Sequence, residues 1–245
     1  MPNGRFLWAS LVTIVVTFVC ASSALLAVLF RAPRPVLDAI SRTWASLILK
    51  ACQIRVELSD LEHLPAGSSI LVGNHQGMLD ILALMSALPH PPVFAAKAEL
   101  FKIPLFGQAM RSVGHIPIYR GEREKAIASI NAGAKRLQQT GHQLVFFPEG
   151  TRTRDGHIQG FKKGAFVFAL ESQLPLVPFA INGSYQTCPP GFKKVYAGTI
   201  QVRLLPPIDV SQYDVSQRDV LTQTVREQIV TAVAQQQEHY QLPAA

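Results

Sequence analysis

Between Phe6 and Phe30 the chain runs for 25 residues without a charged side chain. Coiled as a helix, such a stretch reaches about 37 Å, enough to cross a hydrocarbon layer of roughly 30 Å. Its circumference is apolar all round, so it offers no polar face for water, unlike an ordinary surface helix. The pattern predicts a transmembrane helix over about residues 6–30. A signal peptide is the competing reading, with Arg5 as a weak positive start and Ala21-Ser22-Ser23-Ala24 as a small-residue cleavage site. Against it, the run exceeds the usual apolar core of about 7 to 15 residues. The three cysteines, Cys20, Cys52 and Cys188, are also too few and too scattered for the disulfide framework of a small secreted domain. Arg31, Arg34, Arg42 and Lys50 follow the stretch, whereas only Arg5 and the terminal amine precede it. That asymmetry places the following residues on the cytoplasmic side.

The segment Arg31-Ala32-Pro33-Arg34-Pro35 ends the first helix, because prolines cannot continue its hydrogen-bond ladder. From 36 to 51 the apolar positions Val36, Leu37, Ile40, Trp44, Leu47, Ile48 and Ala51 recur at helical spacing, which predicts an amphipathic helix. Its apolar stripe suits either the membrane interface or the core of a domain. Residues 1–52 therefore read as an N-terminal membrane anchor, and 53–245 as one domain. Within it, Gln53–Ser59 alternates at period two, while Ser69–Gly73 and Leu144–Phe147 are continuous apolar runs of the buried-strand kind. Further strands are expected at Val93–Ala96, His115–Tyr119, Leu176–Ala180 and Thr199–Leu204. Helices are expected near Met78–Ser86, Glu122–Gln139, Lys163–Ser172 and Asp219–Gln237, the last opened by a capping-box-like Ser216–Asp219. Such interleaving predicts an α/β fold with a mixed, largely parallel sheet flanked by helices and preceded by the anchoring segment.

A net charge of +7 implies attraction to an anionic partner. No basic run is interleaved with aromatics, so nucleic acid is not the expected one. No cysteine or histidine spacing reads as a zinc site, and no metal is expected.

Two short segments carry chemistry. In Asn74-His75-Gln76-Gly77-Met78-Leu79-Asp80, a continuous helix would turn His75 and Asp80 about 140° apart. They converge only if the chain turns after Asn74 and a helix begins near Met78, placing Asp80 in a first turn that favours a carboxylate. Asp80 then fixes one imidazole nitrogen and leaves the other to take a proton. No nucleophile elbow of the G-x-S-x-G kind occurs, so the group activated is a hydroxyl of the substrate. The alternative is a loop histidine beside a helix cap. In Phe147-Pro148-Glu149-Gly150-Thr151-Arg152, Gly150 opens the backbone and Arg152 offers a planar fork for phosphate oxygens. A strand-exit turn with an exposed Glu149–Arg152 pair is the alternative there.

Taken in order, these two segments resemble the hallmark blocks of the glycerolphosphate acyltransferase superfamily, particularly its bacterial 1-acyl-sn-glycerol-3-phosphate acyltransferases. Lys97-Ala98-Glu99-Leu100 with Pro104, Gly107, Gly114 and Ile116–Arg120 resembles a further block, and Leu176-Val177-Pro178-Phe179 another. The resemblance covers roughly residues 50 to 210. It implies His75 as general base supported by Asp80, and glycerol-phosphate binding by Glu149, Gly150, Thr151 and Arg152 with help from Arg120. It also implies a place for Lys97 near the reacting centre, as an oxyanion or phosphate contact. Lys162 and Lys163 add positive field or simply form a solvated helix start. The implied reaction moves a fatty acyl group from an acyl carrier protein or coenzyme A thioester to lysophosphatidic acid, yielding phosphatidic acid, with no cofactor. Another lysophospholipid or lyso-aminolipid acceptor, or a membrane-linked hydrolase using water, are the other readings. The implied location is the cell inner membrane with the catalytic domain in the cytoplasm. An apolar tunnel is expected for the acyl chain, with Leu100, Phe101, Leu105 and Phe106 as lining or as ordinary core.

Overall fold

The computed structural model describes residues 1–119, 124, 132–133, 140–191 and 193–238. The chain opens with two helices, α1 (Gly4–Leu29) and α2 (Arg34–Ala51). Pro35 stands in the first turn of α2, where its missing N–H has no intrahelical partner to lose. Seven strands follow at the places the alternating and continuous apolar runs predict: β1 (Ile54–Ser59), β2 (Ser69–Gly73), β3 (Val93–Lys97), β4 (Ile116–Ile118), β5 (Gln143–Phe146), β6 (Leu176–Asn182) and β7 (Gly198–Leu204). They form one sheet in the order β1-β7-β6-β2-β5-β3-β4. All neighbours pair in parallel except β6 and β7. The mixed, largely parallel sheet is therefore as expected.

Between the strands stand α3 (Leu79–Ala87) and α4 (Phe106–Ser112), and after β5 come α5 (Gly164–Ser172), the single turn α6 (Ser184–Thr187) and α7 (Arg218–Glu238). The expected helix at 122–139 falls almost wholly outside the described residues. Period-two alternation sorts the strands between two cores. Leu71, Val145, Val177, Phe179 and Ile181 face α2 and α3. Ile70, Val72, Leu144, Phe146, Leu176 and Ala180 face α5 and α7. The capping box falls two residues earlier than the sequence suggests, on a 3-10 turn (Val215–Gln217) that leads into α7: the Asp214 carboxylate accepts from Ser216 and Gln217 N–H, and the Asp214 N–H donates to the Gln217 side chain.

The amphipathic helix packs on the domain. Leu37, Ala45, Ile48 and Leu49 are buried, and Arg42 donates from its guanidinium to the carbonyls of Ser86, Leu88 and Pro89, where α3 ends. Near its start, Asp38 is held by Arg34 at 2.9 Å and by His142 Nε2 at 3.0 Å, while His142 Nδ1 faces the Thr140 carbonyl at 2.9 Å. Burial opposes the charge on Asp38, but the His142 hydrogen bond and the Arg34 charge together hold its carboxyl below its ordinary value. A depressed carboxyl stabilises the fold above the usual carboxylate range and loses that effect as pH falls through its folded value. We therefore expect Asp38→Asn to cost about 2 kcal/mol at pH 7. The difference between the two proteins should shrink below pH 4, which thermal midpoints measured at pH 7 and pH 3 would check.

Helix α1 meets the length and composition of a membrane span. It lies along α2 and α4 and is fastened at its start: Asn3 pairs with both backbone groups of Val195, and Arg5 Nη2 donates to Gln53 Oε1. Farther along, Trp44 Nε1 donates to Thr17 Oγ1, and Ala24 packs beside Leu37 and Val113. Leu7, Trp8, Leu11, Ile14, Phe18 and Leu29 are left exposed on its other side.

Candidate active site

Parallel pairing of β2 with β5, Val72 opposite Phe146, brings the C-terminal ends of both strands together and with them the two chemistry-bearing segments. Ligands of open α/β sheets bind at such strand ends. Asn74 extends β2 by one side chain: fully buried, its amide donates to the Ile181 carbonyl and accepts from the Ile181 N–H, both at 2.8 Å. The backbone then turns, and Asp80 falls in the first turn of α3 as the spacing requires.

His75 Nδ1 lies 2.7 Å from Asp80 Oδ2, and the Gly77 N–H donates to the same oxygen at 2.8 Å. An ionised carboxylate only accepts, so Nδ1 is the nitrogen that donates, and in the neutral ring that tautomer leaves the lone pair on Nε2. Gly77 has no side chain because a Cβ there would come within 2.6 Å of Ser184 Oγ. The imidazole stacks on Phe147, centroids 4.1 Å apart and planes 15° from parallel. Its side chain is 15% exposed while that of Asp80 is sealed, so the imidazole is open to solvent and its carboxylate partner is not.

Glu149 takes a position the sequence does not disclose. It is 4% exposed, and its two oxygens accept from the His75 N–H at 2.7 Å and the Gln159 N–H at 2.9 Å. The Thr153 N–H closes a second tie by donating to the His75 carbonyl at 3.0 Å. Burial pushes the Glu149 carboxyl above its ordinary value, partly offset by those two amides. Glu149 thus staples the loop that carries His75 to the Gly150–Arg152 loop. The signal for it was an acidic residue directly after a buried strand and a proline, in a position where an exposed pair with Arg152 read equally well.

Gly150 turns with φ +70°, and Thr151 and Arg152 are exposed beside it. Lys97 ends β3 half exposed, its ammonium 3.8 Å from Glu99 Oε1. Arg120 lies outside the described residues. Cys188 is near enough to feel the charges of Arg152 and Asp80, but burial raises its thiol and keeps it a poor nucleophile. No group of three or more metal-ligating side chains occurs among the described residues.

An apolar cavity of about 140 Å³ lies between the two N-terminal helices and the sheet, walled by Ala21, Trp44, Met85, Phe94, Leu100 and Phe106 among others. Leu100 and Phe106 are thus lining, whereas Phe101 belongs to the core at 3% exposure. Phe94 stacks on Phe147 with centroids 6.4 Å apart, and Phe147 in turn stacks on His75, so one ring separates the cavity wall from the imidazole.

Residues 55–182 match the family model described as Acyltransferase. The chain is 33% identical over 178 residues to a chloroplastic 1-acyl-sn-glycerol-3-phosphate acyltransferase of Brassica napus, covering 71% of this chain and 51% of the relative. It is 33% identical over 147 residues to the Escherichia coli K12 1-acyl-sn-glycerol-3-phosphate acyltransferase, covering 60% and 59%. The human alpha form is 33% identical over 179 residues, covering 73% and 63%. The matched region thus spans about half to three-fifths of the length of these curated relatives. The crystal structure of the Thermotoga maritima 1-acyl-sn-glycerophosphate acyltransferase superposes with a TM-score of 0.83 over 97% of both chains at 22% identity, a likeness of fold.

Proposed function

The chain belongs to the acyltransferase family, and from that premise we propose that it transfers a fatty acyl group from an acyl thioester to the free hydroxyl of lysophosphatidic acid, forming phosphatidic acid. The observation that carries this reading is the His75–Asp80 pair, held through Nδ1 and tied through Glu149 to a loop bearing Gly150, Thr151 and Arg152. The acceptor hydroxyl gives its proton to His75 Nε2 as its oxygen attacks the thioester carbonyl. Asp80 steadies the imidazolium that forms. The tetrahedral oxyanion is met by Lys97 or backbone amides. The carbon–sulfur bond then breaks, and the imidazolium proton passes to the leaving thiolate of coenzyme A or acyl carrier protein. Arg152 takes the acceptor phosphate in a forked contact, with Thr151, Gly150 and Arg120 completing the set.

The 1-acyl-sn-glycerol-3-phosphate named for the relatives supports the acceptor, and the apolar cavity beside Phe147 suits an acyl chain. We place the bilayer contact on the uncovered apolar side of α1, the catalytic domain on the cytoplasmic side and the membrane as the cell inner membrane. A reaction between a membrane lipid and a soluble thioester then proceeds at one surface. The purified enzyme in mixed micelles should form phosphatidic acid from lysophosphatidic acid and either acyl-coenzyme A or acyl carrier protein thioester. Across a panel of lysolipids, stronger acylation of a lyso-aminolipid than of lysophosphatidic acid would reassign the acceptor. Thiol release that is indifferent to any acceptor would make the protein a hydrolase.

A further inference from the structure

Lys162 and Lys163 stand side by side in the chain and differ in their surroundings. The Lys163 ammonium is 2.8 Å from Asp219 Oδ2, an exposed pair at the start of α5. Lys162 has no carboxylate within salt-bridge distance among the described residues. Its backbone N–H donates to the Pro148 carbonyl at 2.8 Å, which seats it on the Glu149–Arg152 loop. From there its side chain crosses Gly150: a Cβ on that glycine would lie 2.7 Å from Lys162 Nζ, 3.1 Å from Cε and 3.3 Å from Cδ. The space a side chain at 150 would fill is occupied by an ammonium. Glycine at this position therefore has two consequences, the φ of +70° that turns the loop and room for a cation over that turn.

We propose that Lys162 is a phosphate-binding residue of the acceptor site, holding one oxygen of the acceptor's phosphomonoester while the Arg152 fork takes the others. The assignment rests on the acceptor reading given above and deepens it. A phosphomonoester carries between one and two negative charges at neutral pH. Arginine grips two oxygens in a plane, and a lysine ammonium is a compact point charge suited to a remaining one. An acceptor lacking the phosphate gains nothing from Lys162, so this side chain contributes to the choice of acceptor as well as to affinity.

The test uses Lys162→Met, which keeps the apolar stem over Gly150 and removes the charge, Lys162→Arg, and Lys163→Gln as the neighbouring control. Rates are measured in mixed micelles of fixed salt against lysophosphatidic acid and against monoacylglycerol. We expect KM for lysophosphatidic acid to rise about tenfold in Lys162→Met, with kcat within about twofold. Lys162→Arg should restore most of the loss, and Lys163→Gln should behave as wild type. Monoacylglycerol acylation should be equal in all four proteins. An unchanged KM in Lys162→Met, an equal rise in Lys163→Gln, or an equal loss with monoacylglycerol would overturn the assignment while leaving the acceptor reading intact. Failure of the wild-type enzyme to acylate lysophosphatidic acid would instead overturn both.

Discussion

Replacing His75 by alanine is expected to lower kcat for acyl transfer by about a thousandfold while leaving the protein folded. General-base catalysis contributes roughly 10² to 10⁴ in rate, and the proposed chemistry offers no second group to take the acceptor proton. Cys188, a thiol that feels the charges of Arg152 and Asp80, is pushed toward its protonated form by burial. The fold should survive because the ties through residue 75 run through its backbone: its N–H reaches Glu149 and its carbonyl accepts from Thr153. Removing the ring loses the stack on Phe147 and leaves Asp80 with its contact to the Gly77 amide. Steady-state rates with saturating lysophosphatidic acid, beside a thermal melt of the same preparation, test both halves. Turnover near wild type in a folded His75→Ala protein would remove the base assignment.

Glu149→Ala should act through a different route. Its two carboxylate oxygens satisfy two backbone donors, on residues 75 and 159, from a position 4% exposed. Deleting them leaves both amides without their acceptor, at a cost of about 3 kcal/mol of stability. It also frees the loop that carries His75 from the Gly150–Arg152 loop. Misplacing a catalytic group by about 1 Å can cost a hundredfold in rate, so we expect kcat to fall by that order together with the melting temperature. Glu149→Gln, which keeps one acceptor oxygen, should fall between wild type and alanine in both. The resemblance of the Glu149–Arg152 block assigns this carboxylate to glycerol-phosphate binding, which predicts the opposite pattern: a raised KM for the acceptor with stability intact. Measuring KM, kcat and the melting temperature on one set of variants separates a staple from a ligand contact.

These two experiments fall on either side of what could be read from residues alone. The His75–Asp80 geometry was legible because it is local: a five-residue spacing that fails on one helix forces a turn, and a carboxylate belongs in the first turn of the helix that follows. The seven strands were legible because alternation at period two and continuous apolar runs are properties of a few consecutive residues. Helix α4 was not: no helix is expected between 97 and 115, where Pro104 and Gly107 stand only as members of a block resembling the family. In the fold the helix begins just past the proline, after Leu105 at φ +63°, and Gly107 packs against the Phe101 backbone too closely for a Cβ. The capping box lies two residues earlier, on the turn that leads into α7, because Ser216–Asp219 and Asp214–Gln217 both fit the pattern and the second makes the reciprocal bonds. The orientation of α2 was open at the sequence level, since an apolar stripe suits a bilayer as well as a core. Arg42 reaching the carbonyls where α3 ends and Asp38 held by His142 place it on the domain.

By itself the sequence determined the parts from which this protein is built: an uncharged apolar helix, a histidine and an aspartate that meet across a turn, a glycine-opened loop bearing Thr151 and Arg152, and the order of elements that makes an α/β sheet. These depend on composition and on spacings of a few residues, which local geometry converts directly into helices, strands and turns. The tertiary structure decided how those parts are joined. Asn3 meets Val195 across 192 residues, Glu149 meets the amide of residue 75 across 74, and Lys162 lies over Gly150. No local propensity encodes such contacts. They follow from parallel register, which carries distant strand ends to one edge of the sheet, and from buried backbone donors that must find an acceptor wherever the packed chain presents one.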